Sequence, residues 1–227
     1  RQVKYIHDQA KTDDPFFLYF AYPSPHVPII PNDEFDGKSQ AGPYGDFVVE
    51  TDDSCGKLLQ ALKNSGQNKN TIVIFSADNG PAHYAYDRDH KFDHWSSQPF
   101  RGVKRDVYEG GHRVPFIVKW PGVTKAGTVS DALVSQIDIM ATIADFVGYK
   151  LPDDQAEDSH NLAPLLRGDI DAVRTTHIHN TTNTQFAIRH GDWVLIDAKE
   201  GYCKAHDEVE AWEEKHGYPV DDDQPAE

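Results

Sequence analysis

The sequence predicts an α/β fold in which helices flank a largely parallel sheet, because short apolar runs alternate with segments of helical periodicity. Two of these runs, FFLYFAY (16–22) and TIVIFSA (71–77), are almost continuously apolar, as is typical of strands buried on both faces. PFIVKW (115–120) is the third predicted strand. Beyond Gly168 the pattern changes to short strands separated by turn residues, which predicts a small antiparallel subdomain.

Two helices are predicted around these strands. Apolar residues recur at helical spacing over 44–62, and Gly66 follows where a helix C-cap commonly lies. A second helix is predicted over 137–147, and it ends at Gly148. The polar stretch 81–113 has no sustained periodicity, and a loop of this length in a compact domain is usually functional or disordered.

The C-terminal part is predicted to form antiparallel strands. THIHNTT (176–182) and TQFAIRHGDWVLI (184–196) have strand composition, and the second folds back at Gly191. An acidic helix and an acidic tail follow them. We therefore expect an α/β domain over 1–172 and an antiparallel-sheet subdomain with helix and tail over 173–227.

Composition excludes two classes of partner. The 227 residues include 22 Lys+Arg and 37 Asp+Glu, a formal charge of −15, whereas a nucleic-acid backbone binder needs a basic face. No apolar run approaches the roughly 20 residues that span a bilayer, so we expect no membrane partner. The two cysteines, Cys55 and Cys203, are too few for a disulfide framework or a zinc cluster.

Polar residues stand at the ends of the predicted strands, where ligands gather in α/β sheets. His26 follows the first strand between two prolines, which restrict its backbone. Asp78 and Asn79 follow the second strand, and their oxygens suit a hard cation such as Ca²⁺, although they are fewer than the roughly 6–8 ligands it takes. Lys104 precedes the third strand, where positive charge in an acidic chain indicates an oxyanion substrate.

Each of these features also has a simpler structural interpretation. His26 suits a surface turn, and Asp, Asn and Gly all favour turns. Arg105 and Arg113 fit a solvated loop with internal ion pairs. Asp138 and His179 are more often cap or strand residues than ligands. The combination and order of the motifs therefore carry more weight than any single one.

Seven segments resemble, in order, the C-terminal half of the formylglycine-dependent sulfatases, the arylsulfatase family. The resemblance covers nearly all of the chain between Asp14 and Ile196. The matching segments are PHVPIIP, YGDFVVETDDSCGKLL, FSADNGP, HWSSQPFRGVK, YEGGHRVPFIVKWPG, VSQIDIMATIADFVG and AIRHGDWVLI.

The resemblance implies an alkaline-phosphatase-like α/β fold followed by a smaller antiparallel sheet. It implies a hydrolase of sulfuric esters that binds one Ca²⁺ ion and uses formylglycine as nucleophile. At the matched positions, Asp78 and Asn79 would bind the metal, Lys104 would contact the sulfate, and His26 would stabilise or protonate the leaving alcohol. His94 would be a candidate substrate contact, with no catalytic role assigned to it.

Departures from the family pattern indicate that the nucleophile is outside this chain. The family's Cys-x-Pro-Ser-Arg motif, or its serine version, matches neither Cys55 nor Cys203. The paired N-terminal aspartates for calcium are also not in this sequence. We expect the chain to be the second half of a sulfatase whose partner is the N-terminal half of the same protein, and to be inactive alone.

Two alternative functions remain open at this point. One is a phosphodiesterase or phosphonate hydrolase of the same superfamily, although Asn79 stands where two-metal relatives usually carry histidine, which favours one Ca²⁺. The other is a non-catalytic module that binds sulfated glycans. The expected ligand is a sulfated small molecule or glycan, and family habit places the protein in the periplasm or outside the cell.

Overall fold

The computed structural model describes residues 1–181, 185–198, 201–203 and 207–218. Most of the helices and strands lie where the sequence pattern predicts them, but the polar stretch 81–113, for which no regular element is predicted, contains two helices (Tyr84–Phe92 and Glu109–His112). Helix α2 is the longest, and its 23 residues include the predicted segment 44–62. The helices are α1 (Gln2–Gln9), α2 (Gly42–Asn64), α3 (Tyr84–Phe92), α4 (Glu109–His112), α5 (Asp138–Phe146), α6 (Ala163–Arg167) and α7 (Asp207–His216). None of the helices in the described ranges combines the length and apolar character needed to cross a membrane.

Two strands form the sheet of the larger part of the chain. Strand β1 (Val73–Ser76) pairs with β2 (Phe116–Lys119), and both lie within segments predicted as strands. The pair is antiparallel, so the expectation of parallel neighbours is wrong for these two strands. Ser76 pairs with Phe116, which means that the chain leaves β1 and enters β2 at the same end of the sheet. A parallel partner would require a crossover back to the other end.

The first predicted strand is not paired among the described residues. In segment 16–22 alternate side chains differ in exposure, and Phe16 and Leu18 pack against Ile6, Leu62 and other apolar residues. The opposite face is open, with Phe17 72% and Tyr19 82% exposed. The prediction of a strand buried on both faces is therefore wrong here, because an apolar run reports burial potential without specifying a pairing partner.

The C-terminal part contains the predicted antiparallel sheet. Strands β3 (Thr176–Asn180), β4 (Phe186–His190) and β5 (Trp193–Asp197) pair in sequence order, and both ladders are antiparallel. The turn between β4 and β5 contains Gly191 at φ +56°, as the sequence predicts. The acidic helix is α7, whereas the acidic tail at 219–227 lies outside the described residues.

An aromatic core joins the C-terminal helix to the middle of the chain. Trp212 of α7 lies 4.3 Å from Trp95 between ring centres and packs edge-on against Tyr86 of α3. All three side chains are buried, together with Val103 and Tyr202. The expected division of the chain at residue 172 stays a prediction, and the two parts share this core.

A buried ion pair holds α5 against the segments around it. The Asp138 side chain is fully buried, pairs with Arg174 and accepts backbone N–H groups of Ser135 and His160, each at 2.8 Å. Arg174 is itself only 6% exposed at its side chain. The interpretation of Asp138 as a satisfied structural residue agrees with these contacts.

We expect Asp138→Asn to lower the free energy of unfolding by about 3–5 kcal/mol, because it leaves the buried Arg174 charge without its partner. Asp169→Asn is the matched control, since the Arg167–Asp169 pair is 43% and 58% exposed and should contribute less than about 1 kcal/mol. Urea denaturation of the purified variants measures both. Equal effects of the two substitutions would contradict the structural role of Asp138.

Candidate functional site

Asp78 and Asn79 lie directly beyond the carboxyl end of β1. Asp78 is exposed and Asn79 is half-buried. The Asn79 side chain donates from Nδ2 to the Gly80 carbonyl oxygen at 2.8 Å, which leaves Oδ1 as its remaining acceptor. The end of the strand therefore carries one carboxylate and one amide oxygen on consecutive residues.

Gln136, which sequence reasoning did not single out, supports the same strand end. Its Nε2 donates to the Ala77 carbonyl oxygen and also to Ser76 Oγ at 2.9 Å. These bonds attach the segment before α5 to the residue that precedes Asp78. The only sequence signal was its place in the segment VSQID, since an isolated glutamine carries no motif of its own.

Glycines bring the loop after β1 into contact with the loop before β2. The Gly80 amide donates to the Gly111 carbonyl oxygen at 2.9 Å. A Cβ atom on Gly80 would overlap the carbonyl oxygen of Gly110, and a Cβ on Gly110 would overlap that of Gly102. Side chains are therefore excluded at these positions, because backbone approaches backbone directly.

Lys104 belongs to the same backbone assembly. Its amide donates to the Pro81 carbonyl oxygen at 2.7 Å, three residues beyond Asp78. The next residue, Arg105, adopts φ +81°, and the buried Asp106 carboxylate accepts the Val103 amide at 2.8 Å. The structure thus brings Lys104 next to the segment that carries Asp78, although the two positions are far apart in the chain.

His26 lies in an exposed turn between segment 16–22 and α2. Its Nδ1 is 2.8 Å from the Val27 carbonyl oxygen, and since a carbonyl oxygen can only accept, Nδ1 is the donor and Nε2 is the ring nitrogen left for another partner. Val27 and Tyr84 line one open cleft, so the His26 turn borders the start of α3. Among the described residues, His26 makes no hydrogen bond to Asp78 or Lys104.

His94 is exposed just after the end of α3. Its neighbour Trp95 is buried and donates from Nε1 to the Phe100 carbonyl oxygen at 2.8 Å, which anchors this part of the loop. The role of His94 as a substrate contact stays a prediction.

The predicted internal ion pairs of the loop are present. Glu109 in α4 accepts from Arg113 at 2.9 Å and from Arg189 of β4 at 2.5 Å. The structural interpretation of Arg113 is therefore confirmed. Arg189, which sequence reasoning missed, links the C-terminal sheet to α4.

Three histidines lie together where the end of α4 meets β3, namely His112, His177 and His179. The His112 ring centre is 3.9 Å from that of His179, whose Nε2 contacts the Val107 carbonyl oxygen at 3.1 Å. Burial is the main cause that lowers the pKa of His112 from 6.5 to about 3, and the neighbouring His179, His177 and Arg189 contribute to the same shift. His112 is thus neutral in the folded protein over the physiological range.

Comparison with known proteins identifies the family. A family model described as Sulfatase matches residues 2–149, and one described as N-sulphoglucosamine sulphohydrolase, C-terminal, matches residues 102–213. The chain belongs to the sulfatase family.

Two related sulfatases show how much of the family's length this chain spans. It is 36% identical over 192 residues to an N-acetylgalactosamine-6-O-sulfatase of Bacteroides thetaiotaomicron, covering 83% of this chain and 37% of that protein. It is 38% identical over 192 residues to the N-acetylgalactosamine-6-sulfatase of Rattus norvegicus, covering 84% of this chain and 36% of that one. The chain therefore spans well under half the length of these sulfatases.

Solved sulfatase structures agree with the fold. A structure from Bacteroides thetaiotaomicron, described in connection with glycosaminoglycan metabolism, matches with a TM-score of 0.77 at 35% identity over 86% of this chain and 42% of that one. A sulfatase from Pseudoalteromonas sp. matches with a TM-score of 0.74 at 31% identity over 85% of this chain and 38% of that one. The predicted α/β, alkaline-phosphatase-like class is confirmed.

The buried His112 predicts how the stability of this sulfatase chain depends on pH. Since the folded pKa of about 3 lies below the ordinary value of 6.5, the unfolded chain binds the proton first. The stability from neutral His112 is fully present above pH 6.5 and is lost as the pH falls toward about 3. We expect His112→Gln to remove about 1 kcal/mol per pH unit from this slope.

Denaturation titrations between about pH 5 and 7 measure the slope, where histidine ordinarily titrates. His90→Gln is the control, because His90 is exposed on α3. An unchanged slope in His112→Gln would show that His112 keeps an ordinary pKa in the folded protein.

Proposed function

We propose that this chain is the part of a sulfuric-ester hydrolase that binds the sulfate and assists the leaving alcohol. The observation that carries the proposal is the backbone assembly at the end of β1. Lys104 donates to Pro81 at 2.7 Å and Gly80 donates to Gly111 at 2.9 Å, which gathers Asp78, Asn79 and Lys104 at one edge. A pair of cation ligands next to a lysine whose backbone is held in place suits the ester of an oxyanion such as sulfate.

The residues at this edge fit a partial Ca²⁺ site. Asp78 is an exposed carboxylate. The side-chain nitrogen of Asn79 donates to Gly80, which leaves Asn79 Oδ1 as the atom that could bind a cation. No group of three or more His, Cys, Asp or Glu side chains within the described ranges could hold a metal. The other ligands would come from residues outside this chain, and the bound ion would offset negative charge on the ester.

The side chains of this chain divide the remaining work. The Lys104 ammonium would offset the charge that develops on the non-bridging oxygens. His26 keeps Nδ1 on the Val27 carbonyl oxygen, so Nε2 would take up a proton from solvent and pass it to the leaving alcohol. The formylglycine nucleophile would come from outside this chain, since Cys55 lies on α2 as a free thiol outside the nucleophile motif.

The relatives favour a sulfated carbohydrate over the other expected ligands. Two of them are named as N-acetylgalactosamine sulfatases. A solved structure at 25% identity with a TM-score of 0.53 is described in complex with its substrate D-glucosamine-2-N,6-O-disulfate. An arylsulfatase of Hemicentrotus pulcherrimus is 33% identical over 180 residues, so aryl sulfates suit an assay. A phosphonate monoester hydrolase from Silicibacter pomeroyi matches with a TM-score of 0.51 at 24% identity, a likeness that supports the shared fold alone, so the phosphonate alternative is not favoured. No relative named above supports the non-catalytic module. A periplasmic or extracellular location remains part of the proposal.

We expect the 227-residue chain by itself to show no sulfatase turnover, because the nucleophile and the other calcium ligands would lie outside it. Hydrolysis of a chromogenic aryl sulfate by the purified chain measures this. A mock purification from the same host controls for contaminating sulfatases. Turnover comparable to that of an intact sulfatase would contradict the half-enzyme interpretation.

In the full-length protein, we expect Lys104→Ala to lower turnover about 10²–10³-fold, the usual cost of one preorganised contact to developing charge. Lys119→Ala is the matched control, since Lys119 lies at the end of β2 and has no predicted role at the site. Initial rates on an aryl sulfate compare the two variants. Equal and small effects of the two substitutions would contradict the assignment of Lys104 to the sulfate-binding site.

A further inference from the structure

A polar triad buried between the C-terminal helix and the loop of Lys104 has no part in the proposed chemistry. Arg101 donates from Nε to the Tyr202 hydroxyl at 2.8 Å and from Nη2 to Glu213 Oε1. The Tyr202 hydroxyl donates to the same Glu213 oxygen at 2.6 Å. Glu213 is 3% exposed, so all three groups interact in a site from which water is largely excluded.

Aromatic rings enclose the Arg101 guanidinium. Its central carbon lies 4.1 Å from the centre of the Tyr108 ring and 5.1 Å from that of Tyr202. A planar guanidinium stacked on a ring and bonded at two of its nitrogens has one orientation available. The residue thus connects α7 to the loop through a rigid contact.

The segment 201–203 holds the other end of the same loop. The Val107 amide donates to the Gly201 carbonyl oxygen at 2.8 Å. The Asp106 carboxylate accepts the Cys203 amide at 2.9 Å, and with its second oxygen it accepts the Val103 amide at 2.8 Å. We call residues 201–203 and α7 together the C-terminal clamp.

The clamp therefore grips the chain on both sides of Lys104. Arg101 lies three residues before Lys104, and Asp106 lies two residues after it. The carbonyl oxygen of Arg101 also accepts the Gly110 amide at 2.7 Å, which connects the triad to the glycine contacts at the end of β1. Residues 101–108 belong to no helix or strand, so these contacts hold the loop in place together with the bond from the Lys104 amide to Pro81.

We propose that Arg101 and Glu213 are positioning residues for Lys104, so that the C-terminal clamp sets the geometry of the sulfate-binding ammonium group. The inference rests on the proposed function, because it needs Lys104 to meet the sulfate. A positioning role differs from a purely structural role in its effect on turnover. A positioning residue acts on turnover through Lys104, whereas a structural residue acts on the folded fraction regardless of which side chain stands at position 104.

The test is a double-mutant cycle in the full-length protein. Glu213→Gln keeps the shape of the side chain and removes its charge, and we expect it to lower kcat/KM for an aryl sulfate by about 10–100-fold, as misplacement of a catalytic group commonly does. In a Lys104→Ala background the same substitution should change kcat/KM by less than about twofold, because the two residues act as one unit.

Glu214→Gln is the matched control. Glu214 is adjacent on α7 and exposed, so the charge change is the same while the triad is intact.

Tyr202→Phe is the second variant, used if Glu213→Gln does not fold, because it removes only the hydroxyl that joins Arg101 to Glu213. We expect an intermediate loss of turnover from Tyr202→Phe that also disappears in the Lys104→Ala background.

Amide hydrogen exchange gives a readout that does not depend on activity. Glu213→Gln should speed exchange of the Lys104 and Gly110 amides, which donate to Pro81 and Arg101, and should leave the β1 amides unchanged. Equal losses from Glu213→Gln with Lys104 present and absent, or unchanged exchange at Lys104, would overturn the positioning role. If Lys104→Ala alone left turnover intact, the proposed function would fail while the exchange result would still report on the clamp.

Discussion

The candidate site depends on direct backbone contact between two loops at glycine residues, which have no side chain to keep the loops apart. Gly80 lies against Gly110 and Gly111, and Gly110 lies against Gly102, with no room for a Cβ atom on Gly80 or Gly110. Main-chain hydrogen bonds then join the loop after β1 to the loop before β2. Because these bonds run between backbone groups, they fix the positions of Asp78 and Lys104 and leave the functional groups of both side chains free for a ligand.

Buried carboxylates organise the loops of this acidic chain. Asp46, Asp106 and Asp138 each accept two backbone N–H groups from segments without regular structure. Such charge-assisted bonds satisfy amides that no helix or strand could pair. Part of the excess of acidic residues over basic ones therefore has a structural explanation, and the site itself presents few carboxylates. Along the chain, the acidic residue nearest to Lys104 is Asp106, whose carboxylate already accepts backbone amides.

Local patterns predicted the regular elements well and the strand pairing poorly. Helical spacing predicted α2 and α5 to within two residues at each end, since periodicity is a property of the segment itself. The antiparallel hairpin at Gly191 was also predicted, because its turn signal is local. The antiparallel direction of β2 against β1 was not, since direction depends on the path of the 39-residue connection between them. Segment 16–22 shows the same limit of local patterns, because an apolar run does not specify which strand it pairs with.

The sequence by itself determined the family, the α/β class and the choice of candidate site residues, because motifs such as ADNG and RGVK are readable in the sequence alone and contain Asp78, Asn79 and Lys104. Only the tertiary structure decided which of them meet. It placed Lys104 beside the Asp78 loop and gave His26 a protonated Nδ1 through the Val27 carbonyl oxygen. It also showed that Arg101 and Glu213, 112 positions apart, form one buried pair. Contacts of that range leave no local pattern, since they depend on packing that the whole chain sets.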